Sequence, residues 1–395
     1  MDTADAVVIG GGVIGTAAAY YLSKTGRRVT LIERKGIAAG TSSRCEGFIL
    51  VNDKMPGYDA RLGRLSQSLF PGLSDEIGYD IEWSAKGSLL LIESEEEMAV
   101  AEDFCGRLAQ EGLAVRMLDR KQIHEIEPHL AEDIVGGMET TTDGAVNPMA
   151  LARGLARAAR RQGADLRTGT TVRGIRLDAS GKIDRILTDG PDILTQTVVN
   201  AAGIWAPEIG RMVGVDIPIT PRQGQILVTE RTFALTRRKV MEFGYLMTKF
   251  EKEGYRRRVT PEMEANGVAF VLEPTGAGNF LIGSSRRFTG FDTATDTTVI
   301  RAVAERAVRF YPALARTRLI RTYAGLRPYT PDHFPIISPT PVDRFYVAAG
   351  HEGNGITLSL ITGKLTAQII AGEPPDIDLH PLRLDRFDSE TPHAH

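Results

Sequence analysis

The opening thirty residues constrain the fold more than any other stretch. In "DAVVIGGGVIGTAAAYYLSKTGRRVTLIE", Gly10, Gly12 and Gly15 form a G-x-G-x-x-G pattern between an apolar run and an alanine-rich helical one, and Glu33 closes a second apolar run. Each glycine has its own task in such a turn. The first admits a tight strand-to-helix bend, the second lets backbone approach a pyrophosphate, and the third lets helix and strand touch; a carboxylate at Glu33 suits a ribose hydroxyl. The unpaired amides of the helix start would then receive the phosphates. The stretch therefore predicts a βαβ unit, with a strand over 5–10, a helix from Val13 to Thr25 stopped by Gly26, and a strand over 27–33. A dinucleotide ligand follows, NAD or FAD alike.

With 395 residues the chain exceeds the usual ceiling for one core, so two domains are expected. The hydrophobic fraction of 42% and the charged fraction of 25% are those of an ordinary soluble enzyme. A net charge of −3 offers no long-range attraction to nucleic acid or an acidic membrane. Cys45 and Cys105 are too few for a disulfide framework or an iron–sulfur cluster, and no metal site is read from the sequence. No apolar stretch reaches the roughly 18 residues of a transmembrane helix, and Asp2 and Asp5 replace the basic flank of a signal sequence. A cytoplasmic location is expected.

Further along, "GSLLLIES" (87–94) and "IVGGMETT" (134–141) read as strands framing a helix at 95–112. Asn147 and Pro148 open a helix that Gly163 stops. Strand-like "TVVNAAG" precedes a β-rich block containing "QGQILVTE", "GVAFVLEPT" and "NFLIGSS", and Asp296 and Pro312 bound another helix. The alternation predicts an α/β fold with an α+β second domain: a Rossmann-like FAD-binding domain interleaved with an antiparallel-sheet substrate domain. The first is assigned to 1–80, 148–215 and 322–385, the second to 81–147 and 216–321, with a tail at 386–395. FAD is favoured over NAD because "EGF", "NAAGIWA" and "GHEGNGIT" add glycine-marked turns, and a long extended cofactor needs close backbone at several places.

"VVIGGGVIGTAAAYYLSKTG", "YAGLRPYTPDHFPIIS" (323–338) and "AAGHEGNGITLSLITGKL" (348–365) resemble the three signature segments of the D-amino-acid oxidase, glycine oxidase and sarcosine oxidase superfamily. Within it, "GTSSRCEGFILVNDKMPG" most resembles the FAD-carrying B (β) subunit of bacterial opine and D-hydroxyproline dehydrogenases. The resemblance implies that Val13 and Ile14 lie along the pyrophosphate, Glu33 and Arg34 at the adenosine, and Thr41 and Ser42 on the phosphates. It puts Glu46, Gly47 and Phe48 at the isoalloxazine, the Val172 backbone at adenine, and Ala202, Gly203 and Trp205 beside the cofactor. The second glycine-rich turn would present its helix amides to the flavin edge that gains negative charge on reduction. Gly350, Gly353 and Gly355 allow the approach, and Asn354, Ile356 and Thr357 supply amides.

In "GLRP", Arg327 suits a carboxylate held through two parallel hydrogen bonds, and the resemblance gives the matching arginine that role toward an amino-acid substrate. The chemistry implied is hydride loss from the α carbon to flavin N5, giving an imine that water hydrolyses. His351 is the candidate for assisting amine deprotonation or tuning the flavin, with a purely structural histidine as the alternative; Tyr329 and Tyr245 are further pocket candidates. Glycine oxidases carry an arginine where this sequence has Gly353, which implies a roomier site suited to an N-substituted or cyclic amino acid. The attaching cysteine of sarcosine oxidases has no counterpart late in this chain, so FAD is expected to be non-covalent despite Cys45. The segment 230–267, with Arg237–Arg238–Lys239 and Arg256–Arg257–Arg258, reads as either a solvated loop or a docking surface for a companion subunit bearing an iron–sulfur centre. Two alternatives stand beside the dehydrogenase: a self-sufficient oxidase making peroxide, and a non-catalytic flavin-binding scaffold.

Overall fold

The computed structural model describes residues 2–249 and 255–388. The strand Ala6–Ile9 is buried along its whole length, as a strand in a parallel sheet covered on both faces must be. The helix Val13–Lys24 and the strand Val29–Glu33 complete the expected βαβ unit. Five strands line up parallel in the order Phe345–Ala349, Val198–Asn200, Ala6–Ile9, Val29–Glu33 and Asp165–Thr168; Ile336–Pro339 adds an antiparallel edge.

Helices cover this sheet, and the contact between two of them is unusually close. The closing helix, Gly355–Ala371, packs on the opening one, and a Cβ added at Gly363 would lie 2.6 Å from the carbonyl carbon of Ala17. Only glycine permits that separation. The helix Pro148–Arg161 packs on the same opening helix, and the Asn147 side chain accepts from the amides of Met149 and Ala150 at 3.1 and 3.2 Å, so the expected cap forms.

The second sheet has eight strands, in the order Leu319–Tyr329, Thr220–Thr229, Phe280–Gly283, Val271–Pro274, Lys239–Glu242, Ser88–Ile92, Gly136–Thr140 and Val115–Leu118. Every pairing is antiparallel except that of Lys239–Glu242 with Ser88–Ile92. A mixed α/β architecture with two large sheets is therefore present. The expected boundary at 321/322 falls inside Leu319–Tyr329, which pairs with Thr220–Thr229 from end to end, so that strand belongs wholly to the second sheet.

Two further expectations need correcting. The segment 230–267 is not an excursion from the sheet: Lys239–Glu242 is one of its inner strands, and the helix Phe243–Lys249 follows directly. Residues 250–254 of that segment and 389–395 of the tail lie outside the described residues. The basic runs do not form a continuous charged face either. Lys239 is buried, Arg257 pairs with Glu242 at 2.6 Å, and Arg238 reaches Glu139 at 3.3 Å. Glu242 also accepts from Arg306 Nε at 2.8 Å, and Arg306 pairs with Glu93, so a buried ionic cluster ties this segment to the helix Thr297–Phe310. Sequence reading also missed the meander Val172–Leu177, Ile183–Thr188 and Ile193–Leu194, which forms a third sheet with Asp2–Thr3.

The helix contact generates a prediction. Gly363→Val must push the two helices apart, at a cost of about 1–3 kcal/mol for overpacking; thermal melts of the apoprotein should show a lowered midpoint, and an unchanged one would mean that the helices are not held at this separation.

Candidate active site

One long cleft runs between the first sheet and the edge of the second, and the glycine-rich turns line it from both ends. At the first turn Gly10 has φ +116°, and a side chain there would approach the carbonyl oxygen of Ala201 to 2.5 Å. Gly10, Gly12, Val13 and Ile14 all face the cleft. Gly15 does not: any Cβ would collide with the Gly10 carbonyl oxygen, so its task is to close helix on strand. Glu33 accepts from the Gly11 amide at 2.8 Å with one oxygen and from the Lys35 amide at 2.8 Å with the other, which fixes its carboxylate at the cleft wall. Arg34 lies 4.0 Å over the Trp205 ring, and Val172, Ala202 and Gly203 continue this end of the wall.

Midway, the Val13 amide donates to Ser42 Oγ at 3.0 Å and Thr41 Oγ1 donates to the Leu326 carbonyl at 2.6 Å; both residues line the cleft. Their hydroxyls are thus engaged with the chain itself. Glu46 and Phe48 line the cleft, whereas Gly47 is turned away, its amide donating to Glu273 at 2.9 Å. Cys45 faces the cleft too, but burial pushes its thiol well up, which keeps it protonated and a poor nucleophile.

The far end is built by the second turn. Gly350, His351, Gly353, Gly355 and Ile356 face the cleft, and the helix Gly355–Ala371 starts there with no side-chain cap on Asn354. The opening helix likewise begins at Gly12 without a capping side chain of its own. Two helix starts thus leave amides toward one cleft, an arrangement suited to an anionic or electron-rich ligand. The glycine surfaces, the fixed Glu33 and the second helix start together fit a ligand as long as FAD.

His351 is 2% exposed, its Nε2 lies 2.9 Å from Thr362 Oγ1, and burial pushes its pKa down to about 3. A neutral imidazole of so low a basicity supports the turn and is a poor acceptor for an amine proton. Asn354 and Thr357 face an adjoining pocket rather than the cleft: Asn354 Oδ1 accepts from Lys54 Nζ at 2.8 Å, and Thr357 Oγ1 donates to the Phe48 carbonyl at 3.0 Å.

Arg327 stands where cleft and pocket meet. Its Nη1 donates to the Ser285 carbonyl at 2.9 Å and its Nη2 to Ser284 Oγ at 2.5 Å, and the absence of a side chain at Gly224 on the neighbouring strand makes room for it. Tyr245 lines the pocket, but Tyr329 lines neither cavity; it packs 4.7 Å beneath the Arg222 guanidinium and edge-on to Phe288. Sequence reasoning missed Arg222, Arg286 and Lys239, which all face the pocket. Burial, together with neighbouring cations, pushes both Arg222 and Arg286 down to about 10. Burial also drives Lys239 well below its ordinary value and Glu273 up to about 8, so both are pressed toward the neutral form. A signal existed: "PRQGQI" and "IGSSRR" place arginines on strands or at a strand end in the β-rich block.

Comparison with known proteins agrees with this geometry. The family model described as "DAO: FAD dependent oxidoreductase" matches residues 5–369. The chain is 31% identical to hydrogen cyanide synthase subunit HcnC of Pseudomonas aeruginosa, over 98% of this chain and 97% of that protein. It is 30% identical to glycine oxidase of Geobacillus kaustophilus over 97% of each, and the crystal structure of glycine oxidase from that organism superposes with a TM-score of 0.86 over 98% of this chain and 99% of that one. The crystal structure of L-proline dehydrogenase from P. horikoshii superposes with a TM-score of 0.86 at 25% identity, covering 98% of both chains.

Two outcomes are expected from this site. Glu33→Ala removes the acceptor that holds the Gly11 amide, so FAD affinity, measured by fluorescence titration of the apoprotein, should fall roughly 10-fold or more. For His351 the pH dependence has a defined sign: the unfolded chain binds a proton near the ordinary value of 6.5, while the folded chain refuses it until about 3. Acidification across that window therefore favours unfolding through this residue, and the cost is absent above it. Melting temperatures of the wild type should fall more steeply between those pH values than those of His351→Gln; parallel curves would show that His351 does not titrate this way.

Proposed function

On the premise that this chain belongs to the FAD dependent oxidoreductase family, we propose that it oxidises the C–N bond of a secondary or N-substituted amino acid, with D-hydroxyproline and opines as the candidates to which its sequence points. FAD-dependent oxidation of amine or amino-acid C–N bonds is supported by the likeness to glycine oxidase and L-proline dehydrogenase. The single observation that carries the finer reading is Arg327: a guanidinium fixed at the junction of the cofactor cleft and a cationic pocket.

When bound, FAD supplies the hydride acceptor. The residues of the chain do the rest. Arg327 takes the substrate carboxylate through its forked donors, and Ser284 and Ser285 hold the fork in place, so one end of the amino acid is fixed at the cofactor cleft. Amides at the start of Gly355–Ala371 supply positive potential at the same end of the cleft. His351, neutral and bonded to Thr362, keeps the turn in shape and takes no proton from the amine, which loses it to solvent after the substrate docks. Gly353 faces both cavities, and a Cβ there would meet nothing within 4 Å, which leaves space for a substituent on the amine nitrogen.

Electrons pass in this reading to a companion subunit bearing an iron–sulfur centre or to a quinone, because Cys45 and Cys105 cannot assemble a cluster within the chain. Among the described residues no helix is long and apolar enough to cross a membrane. Cys45, protonated and half-buried, leaves the flavin non-covalent in this reading; acid precipitation should release all yellow colour to the supernatant.

The reading is tested by anaerobic mixing of the holoprotein with D-hydroxyproline, octopine, D-proline, sarcosine and glycine while the visible flavin band is followed. Bleaching by the N-substituted or cyclic compounds and little by glycine is the expected result; dominance of glycine would overturn it. Arg327→Lys keeps the charge but loses the fork, and should cut kcat/KM roughly 100-fold while FAD stays bound. Readmission of air then separates the dehydrogenase, slow to reoxidise, from a peroxide-forming oxidase.

A further inference from the structure

The pocket beside Arg327 holds more positive charge than one amino-acid carboxylate requires. Five cationic side chains line it: Lys54, Arg222, Lys239, Arg286 and Arg327. Three of them have an answer within the chain. Lys54 is paired with Asp53, Arg222 with Glu352, and Lys239 is buried beside Glu273. Arg286 and Arg327 form no ion pair among the described residues. Arg286 is stacked on the Tyr245 ring at 3.7 Å, and its best acceptor is the Gly267 carbonyl at 3.4 Å. Glu46 is the remaining carboxylate on the pocket wall, and it too forms no ion pair among the described residues.

Backbone register makes the excess harder to dismiss as accident. Arg222 and Arg327 are direct partners across adjacent antiparallel strands, and Arg286 follows the strand Phe280–Gly283 on the other side of Arg222. Like charges placed opposite each other destabilise a sheet, and holding half-buried guanidinium groups without a carboxylate partner adds to that cost. Such a cost persists where a ligand offsets it. A plain amino-acid zwitterion is neutral, so it would leave the trio of Arg286, Arg327 and Glu46 with an uncompensated positive charge. A zwitterion with a second carboxylate carries one negative charge and matches group for group: two guanidiniums for two carboxylates, and Glu46 opposite the ammonium as the substrate docks.

We infer that the substrate is an amino acid bearing a second carboxylate, with Arg327 holding the first carboxylate and Arg286 the second. The inference rests on the proposed amine oxidation and narrows its substrate class. The second carboxylate has two chemical sources, an N-carboxyalkyl group or an acidic side chain. The open space at Gly353, on the wall of this same pocket, favours the first.

The test uses the FAD-loaded protein. Iminodiacetate and N-(1-carboxyethyl) amino acids form one arm, aspartate and glutamate of both hands the second, and sarcosine, D-proline and D-hydroxyproline the third. Anaerobic flavin bleaching should favour an arm of diacids over the monoacids roughly 10-fold or more in kcat/KM, with the source read from which arm responds. Arg286→Gln should raise KM for the diacid, leave the monoacids nearly untouched and so collapse the preference, while Arg286→Lys should restore part of it. Amine-free glutarate and malonate should perturb the visible flavin band of the wild type and not that of Arg286→Gln, an effect that needs no turnover. Equal rates for monoacids and diacids, or an Arg286→Gln loss shared by both, would overturn the inference and leave amine oxidation standing. Failure of every amine to bleach a flavin that dithionite does reduce would overturn both.

Discussion

The contact between Gly363 and Ala17 sets the geometry on which the site depends. Two helices separated by more than three hundred residues of sequence touch backbone to backbone there, and each begins at the same cleft. A larger side chain at Gly363 would displace the closing helix, and with it the turn at Gly350–Gly355, relative to the turn at Gly10–Gly15. The amides that the two helix starts leave toward the cleft act on one ligand only while those turns keep their spacing. Neither turn alone distinguishes a nucleotide site from a tight bend, but the pair, held at a fixed separation, specifies an extended ligand with demanding groups at both ends.

Much of this was legible from local chemistry. The βαβ unit, the Asn147 and Asp296 caps, the helix near 95–110 and most strands of the second sheet follow from periodicity and capping residues that act over a few positions. The glycines that line the cleft were legible for the same reason, since close backbone approach leaves a mark at the residue that makes it. Pairing that depends on distant sequence was not. Lys239–Glu242 reads as part of a charged insertion, because its neighbours Ser88–Ile92 and Val271–Pro274 lie far away in the chain and only their presence makes an inner strand of it. Leu319–Tyr329 similarly bridges what the sequence presents as two domains.

Side-chain roles divide along the same line. Glu33 was expected at a ribose and is indeed on the wall, yet its position is fixed by the Gly11 and Lys35 amides, a detail of three-dimensional closure. His351 was read as a catalytic candidate because histidine ionises near neutrality; burial against Thr362 removes that property. Tyr329 looked like a pocket residue from its closeness to Arg327, but along a strand a displacement of two residues keeps the same face while moving the side chain several ångströms, here onto Arg222. Arg222 and Arg286 went unread because an arginine on or just after a strand that faces a pocket looks like any solvent-facing one until its neighbours are known.

Those cations need firm pairing around them within the second sheet. A pocket with excess positive charge repels itself, and the strands carrying it would spread unless other interactions held them. Leu319–Tyr329 and Thr220–Thr229 pair from Thr220 opposite Tyr329 to Thr229 opposite Leu319, and this long ladder clamps Arg222 against Arg327. The cluster of Arg306, Glu242, Glu93 and Arg257 locks the strand after Lys239 from the opposite side. Strain of this kind, concentrated in one cavity and opposed by well-paired structure around it, is what a preorganised anion site demands: the protein meets the electrostatic cost during folding, and the ligand need not reorganise the pocket when it arrives.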